Sequence, residues 1–260
     1  MKLLHLSDLH IGKSIGSYSL LEEQKYCLDQ ILEIIKNEKI DIVIIAGDIF
    51  DTSIPNSESM KVYSDFVDKI IFDLKKKIIA ISGNHDSGKR LEISKSFFEK
   101  NSYYIFGNSF DKSLTFKDKY GIVNFYPIPY ISLARAKNEI DSNIENFTDL
   151  YRILLKDIDY KDRNVLISHC YANEKAFEDE EIEGEKPLTI GGNDAMDANL
   201  FKNFDYVALG HLHRKHFVIN EKIRYCGTFM KYSFSEIGQK KSVTVVDLKD
   251  NISIKEIEIR

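Results

Sequence analysis

The chain has 260 residues, 43% of them hydrophobic and 30% charged, which is the balance of an ordinary globular protein with ample length for a buried core. Its three cysteines (Cys27, Cys170 and Cys226) form no CxxC pair, no apolar run reaches the ~20 residues of a membrane span, and the formal net charge is -5. These figures exclude a disulfide-stapled scaffold and a transmembrane helix, suggest a reducing, cytoplasmic compartment, and at first sight disfavour a partner as acidic as nucleic acid.

Lys2–Leu6 is a short apolar run that stops at Ser7 and Asp8, and it reads as a strand. Leu20–Lys36 places Leu20, Leu21, Leu28, Ile31, Leu32 and Ile35 at helical spacing. Asp41–Ala46 is β-branched and continuously apolar before Gly47-Asp48, and Met60–Leu74 returns to helical spacing with Tyr63, Phe66, Val67 and Ile70 on one face. Ile78–Ile81 is a third strand, ending at Ser82-Gly83-Asn84, and Leu91–Phe98 reads as a further helix. Three strand–loop–helix units with unbroken apolar strands predict a buried, largely parallel sheet in an α/β fold. The second half reads as strands with few helices between them: 122–126, 165–168, 206–209, 216–219, 223–226, 243–246 and 252–257. A second sheet packed on the first is the natural arrangement. Glu174–Pro187 is strongly acidic and reads as a surface loop.

The chemistry lies in the residues directly after each apolar run. Asp8-Leu9-His10 comes after the first, Gly47-Asp48 after the second and Gly83-Asn84-His85-Asp86 after the third; His169 comes after Val165–Ser168, and Gly210-His211-Leu212-His213 after Tyr206–Leu209. A single His or Asp at a strand end is ordinarily a turn residue or a helix cap. Five ends of the same kind are different, because ligands of an open α/β sheet gather at the carboxyl ends of its strands. Asp8, His10, Asp48, Asn84, His169, His211 and His213 are too many donors for one tetrahedral site and suit two divalent ions, which together clamp the attacking and leaving oxygens of a phosphoryl transfer. Asp48, on the middle strand, is the natural bridging carboxylate. Imidazole and carboxylate without thiolate favour Mn, Fe or Zn in a catalytic rather than a structural role. All the histidines except His216 sit at or beside these ends.

Read in order, these blocks resemble the motifs of the calcineurin-like metallophosphoesterase superfamily. The stretches LHLSDLHIGK, IIAGDIFDTSIPNS, SGNHDSGKRL, PLTIGGNDAMDANLF, FDYVALGHLHR and IRYCGTFMKYSFSE further resemble one branch of it, the SbcD family of nuclease subunits. The resemblance implies a four-layer fold of two packed mixed β-sheets flanked by α-helices. It also implies one metal held by Asp8, His10, Asp48 and His213, and a second by Asp48, Asn84, His169 and His211. His85 would be the catalytic histidine, oriented by Asp86. The implied activity is a Mn-dependent nuclease: a 3′→5′ exonuclease on double strands and an endonuclease on single strands and hairpins, in DNA repair and recombination. The implied partners are DNA, the ATPase subunit SbcC and a second copy of the chain, docked through the helices near Met60–Leu74 and Leu91–Phe98. Family members continue into a DNA-capping region and an SbcC-binding segment, so residues 1–260 correspond to the nuclease core. The alternative within the superfamily is a hydrolase of small phosphoesters or phosphoproteins.

Arg90 and Arg214 flank the motifs and are candidate contacts to substrate phosphates, whereas Cys170 should turn away from its neighbour His169 and pack as a thiol. The charge also reads differently by segment. Glu174–Pro187 holds seven acids and two lysines, so it carries the entire net charge and leaves the remainder neutral. The global figure therefore does not exclude a nucleic-acid substrate, although a neutral core predicts weak, salt-sensitive binding.

Overall fold

The computed structural model describes residues 1–110, 113–174, 195–249 and 251–260; the acidic segment read as a loop lies, but for Glu174, outside the described residues. Lys2–Leu6, Ile42–Ala46 and Lys77–Ile81 form adjacent parallel strands, with Leu6 opposite Ile45 and Ala46 opposite Ile81. Parallel pairing requires a crossover, and the helices Leu21–Asn37 and Ser57–Asp68 provide it. Tyr103–Phe106 extends this first sheet in parallel on one side. On the other side lie the antiparallel strands Ser242–Asp247 and Ser253–Glu258. Their apolar periodicity identifies them as strands, but it does not say that they return to pair beside Lys2–Leu6.

The second sheet has the order His216–Phe217, Ile223–Tyr225, Tyr206–Gly210, Arg163–His169, Gly121–Ile128, Leu114–Asp118, with a parallel centre and antiparallel edges. Successive side chains of a strand point to opposite faces, and both faces of the central strands are covered. Ile42, Ile44 and Ala46 pack with Val165, Ile167 and Ala208 between the sheets, while Val43 and Ile45 pack with Ile31 and Phe66 of the first pair of helices. On the far side, Leu166, Val207 and Leu209 pack with Leu150 and Tyr151 of the helix Phe147–Leu155 and with Ala136 of the helix Leu133–Glu139. The result is helix, sheet, sheet, helix. It explains why the strand sequences are unbroken apolar runs rather than alternating ones. Each buried aliphatic side chain contributes about 1.5–3 kcal/mol relative to exposure.

Several boundaries differ from the sequence reading. The helices Leu133–Glu139 and Phe147–Leu155 are short and were not expected; each begins at a side-chain cap, Ser132 accepting from the Arg135 N–H and Asn146 from the Asp149 N–H. The helix expected over Met60–Leu74 runs as Ser57–Asp68 and finishes in the π-helical turn Lys69–Asp73. The helix expected over Leu91–Phe98 is two short pieces, Gly88–Leu91 and Lys95–Lys100, separated by Ser94 in the left-handed region. Among the described residues no helix is long and apolar enough to cross a membrane.

Candidate metal centre

The parallel strands of both sheets end at the same edge, and the chain must turn sharply there. Asp8, His10, Asp48 and His211 all take positive φ (52°, 43°, 49° and 109°), a conformation that costs an L-residue about 1–2 kcal/mol. Half of the eight non-glycine residues with positive φ among those described are thus candidate ligands. The turns also bring backbones close. Gly47, at φ 90°, would place a Cβ 2.3 Å from His169 Nδ1, and Gly83 would place one 2.1 Å from Asp48 Oδ1. A side chain at either position would displace a ligand, which is why these motifs carry glycine before the polar residue.

The structure brings all seven sequence-derived ligand candidates to this edge. Asp8, His10 and His213 each offer a donor atom within 4.8 Å of the others, and so do Asp8, Asp48 and His169. Asp48 Oδ2 stands 3.7 Å from His10 Nε2 and 3.5 Å from His169 Nε2, between the two histidine groups. Asn84 Oδ1 lies 2.9 Å from His169 Nε2 and 3.3 Å from His211 Nδ1. The two carboxylates are aimed by backbone amides. The His211 N–H donates to both oxygens of Asp8 (3.0 and 3.1 Å), and the His85 N–H donates to Asp48 Oδ1 (2.8 Å).

The donor set fits divalent metal ions. His213 Nδ1 hydrogen-bonds Glu236 Oε1 at 3.1 Å; since an ionised carboxylate only accepts, Nδ1 carries the proton and Nε2 presents a lone pair. That lone pair faces His10 Nε2 at 3.1 Å, while the buried His10 Nδ1 stands 3.4 Å from Asp51 Oδ1. Likewise the Ala46 carbonyl, 2.9 Å from His169 Nδ1, fixes the proton there and directs Nε2 at the centre. Burial opposes ionisation of Asp48, but the imidazoles of His169 and His10 outweigh it and hold its carboxyl below the usual range. Burial also opposes the His169 imidazolium, yet the Asp48 and Asp8 carboxylates raise its pKa to about 10. Burial, reinforced by His169, pushes His211 down to about 3. A deprotonated Asp48 and a neutral His211 are ready ligands, and a metal would replace the ε-proton of His169.

Three residues read differently from the sequence. Asp86 does not orient His85: its carboxylate accepts from the backbone N–H groups of Ile49, Phe50 and Gly83 (3.0, 3.0 and 2.9 Å), so it joins the second loop to the third. His85 Nδ1 instead bonds the Asp51 carbonyl at 2.9 Å, which leaves Nε2 for a substrate on the exposed rim of the site. His5, one residue from its strand's end, is not part of the centre; it is fully buried and bonded to the Tyr206 hydroxyl at 2.9 Å.

Two acids outside the expected ligand set join the site: Asp51, read from the sequence as a turn residue, and Glu236. Asp51 forms a third cluster with His10 and His85 and also binds Lys13 at 2.8 Å. Glu236, 2% exposed, orients His213 and pairs with Lys241 at 2.6 Å; burial opposes its charge, but bonds to His213 and Lys241 lower its pKa to about 2. Glu236 follows no apolar run, so strand-end logic could not find it. Its only sequence signal is membership of the IRYCGTFMKYSFSE stretch. Arg90 and Arg214 are both exposed, Arg90 on the short helix beyond His85 and Arg214 directly after His213. Cys170 packs as expected, with Sγ 3.8 Å from Met196 Sδ.

The family model described as calcineurin-like phosphoesterase matches residues 1–215, a span that contains all seven candidate ligands and His85. Among solved structures the chain is similar to GAP50, described as the anchor in the inner membrane complex of Plasmodium, with TM-score 0.60 and 14% identity over 100% of this chain and 85% of that one. It is also similar to TT1561 of Thermus thermophilus (TM-score 0.55, 13% identity, 100% and 99% covered) and to a dimetal phosphatase from Danio rerio (0.53, 11%, 100% and 98%). At these identities the structural likeness speaks for the fold alone. The family uses a dinuclear metal centre, and the donors gathered here are candidate ligands for one. With the match running over most of its length, the chain belongs to the calcineurin-like phosphoesterase family.

Proposed function

We propose that the chain is a metal-dependent DNA nuclease of the SbcD type, hydrolysing phosphodiester bonds at this centre with Mn²⁺ as the preferred metal. Asp8, His10, Asp48 and His213 would hold one ion, and Asp48, Asn84, His169 and His211 the other. When bound, the pair supplies Lewis-acid charge and an activated water for in-line attack on phosphorus. The chain's own residues do the rest. Asp48 sets the separation of the two ligand groups, and the His85 N–H fixes one of its oxygens. His85, held through Nδ1 by the Asp51 carbonyl, offers Nε2 to the leaving oxygen as a proton donor or to the phosphoryl oxygens as a hydrogen-bond donor.

One observation supports the nuclease branch over other phosphoesterases. The stretch that resembles SbcD beyond the shared motifs packs into the centre. The Thr228 N–H donates to the His213 carbonyl at 3.1 Å, Tyr232 donates to the Leu9 carbonyl, and Glu236 orients His213. In this reading the chain works in DNA repair and recombination with DNA and an SbcC-type ATPase. It would pair with a second copy through the exposed Ile93 and Phe97 region (65% and 61% exposed).

The reading is tested with Mn²⁺ and a labelled hairpin or single-stranded DNA, beside a chromogenic phosphodiester and a His85→Ala control. Cleavage of the DNA that is lost in the variant supports it. Cleavage of the small diester alone would give the site to small phosphoesters, the alternative that shares the same metal chemistry. A scaffold role, as the anchor description of GAP50 suggests for that protein, is disfavoured because every ligand position is filled here.

A further inference from the structure

A cavity beside the centre is distinct from the metal site itself. It has a volume of about 440 Å³ and shares one wall with the centre, His213. Four cationic side chains line it (Arg214, Lys215, Lys240 and Lys241), and no carboxylate does. The cations fall into two kinds. Lys241 is buried and held by Glu236, and its ammonium also bonds the His213 carbonyl at 3.1 Å; Lys215 is held by Glu256 at 2.6 Å. Those two pairs build the wall and tie it to a ligand of the centre. Arg214 and Lys240 are exposed and have no ion pair among the described residues. Among the described residues their charge is uncommitted, and Ser235, Thr228 and Gln239 add hydrogen-bonding groups to the same cavity lining.

We propose that this cavity is a phosphate subsite: Arg214 and Lys240 bind a phosphate of the substrate strand adjacent to the one at the metal centre. The inference rests on the phosphodiesterase reading above and narrows it to substrates with at least two phosphates in a chain. His213 belongs to both the cavity lining and the candidate ligand set, so in this proposal a strand with one phosphodiester at the centre would reach the cavity with the next. A guanidinium gives a planar fork for phosphate oxygens, and an ammonium beside it adds a point charge. A small monoester or diester would leave the subsite empty.

The test uses the full chain and the double variant Arg214→Ala/Lys240→Ala. Binding of a fluorescent single-stranded hexanucleotide is followed by anisotropy in EDTA over a range of salt, and Mn²⁺-dependent hydrolysis of that oligonucleotide is compared with that of bis(p-nitrophenyl) phosphate. The expected result is at least about tenfold weaker oligonucleotide binding and a salt slope smaller by about 0.7 for each phosphate no longer neutralised. The oligonucleotide-to-diester ratio of kcat/KM should fall in step. Arg214→Lys/Lys240→Arg, which keeps both charges, should restore most of the affinity. Unchanged binding and slope in the double variant overturn the subsite, and so does inorganic phosphate binding to these residues when the oligonucleotide does not bind. The two readings fail separately. A wild-type chain that binds the strand through these side chains but never cuts it defeats the nuclease reading and keeps the subsite. A double variant that binds and cuts DNA like the wild type does the reverse.

Discussion

The two sheets make unlike contributions to the metal centre. The first supplies the candidate oxygen ligands, Asp8, Asp48 and Asn84, together with His10; the second supplies candidate imidazoles only, His169, His211 and His213. First-sheet carboxylates are aimed by backbone N–H groups of the turns, as His211 aims Asp8 and His85 aims Asp48. The second-sheet His169 and His213 are aimed through their far ring nitrogens, by a carbonyl and a carboxylate. Two of these aiming contacts cross between sheets: the His211 N–H reaches Asp8, and the Ala46 carbonyl reaches His169. Neither sheet therefore holds a finished half-site. The first supplies the negative charge that two cations require, and in the second the rings of His169 and His213 are set by an outer hydrogen bond.

This division predicts a gradient of effects. The largest belongs to the shared carboxylate. Asp48→Asn should cut Mn²⁺-dependent hydrolysis by on the order of 10³-fold and remove the metal-induced rise in Tm, both measurable on the same preparation. Full activity in this variant would break the two-ion description. Next comes the outer hydrogen bond of the second sheet. Glu236→Ala should weaken metal affinity by about 10- to 100-fold in calorimetric titration, and Glu236→Gln, which keeps an acceptor for His213, by less. Equal losses in the two would mean that the charge, rather than the orientation of the ring, is what Glu236 contributes.

The packing of the sheets against each other sets a third, smaller effect. Burial, then the Arg224 charge, lowers the pKa of His5 from 6.5 to about 3. Between those values the unfolded chain binds a proton that the folded chain does not, so this stability is complete above about 6.5 and is lost as the pH falls. At pH 5.5 the loss from His5 alone is about 1.4 kcal/mol, and unfolding free energies from urea titration at pH 7.5 and 5.5 should show a drop that is smaller by that amount in His5→Gln. The smallest effect lies away from the site. Asn146→Ala removes the cap of Phe147–Leu155 and should cost about 1 kcal/mol of stability by urea titration with no change in kcat/KM.

The strands that carry the site were legible because each is buried on both faces. Ile42–Ala46 is an unbroken apolar run, and Lys2–Leu6 is apolar after Lys2 apart from the buried His5, so the polar residue following each run stood out. The ligand positions at Asp8, Asp48, Asn84, His169 and His211 come from that pattern. Less legible were elements whose signal is short or whose partners are remote. The nine-residue helix Phe147–Leu155 is too brief for a clear period, and the four-residue strand Tyr103–Phe106 follows the short helix Lys95–Lys100 after only two residues.

What the sequence determined by itself was the alternation of buried strands and amphipathic helices, and the set of residue types able to hold two divalent ions. Both are written in local order, one as periodicity and the other as motif. The tertiary structure alone decided the partners. Asp86 binds three backbone amides instead of His85. The last two strands return to the first sheet. Glu236, 23 residues beyond His213, reaches back to orient it. The cations after His213 meet those of residues 240 and 241 around one cavity. Hydrogen-bond partners far apart in the chain are chosen by which backbones and carboxylates the packed layers bring within about 3 Å, and no local pattern encodes that distance.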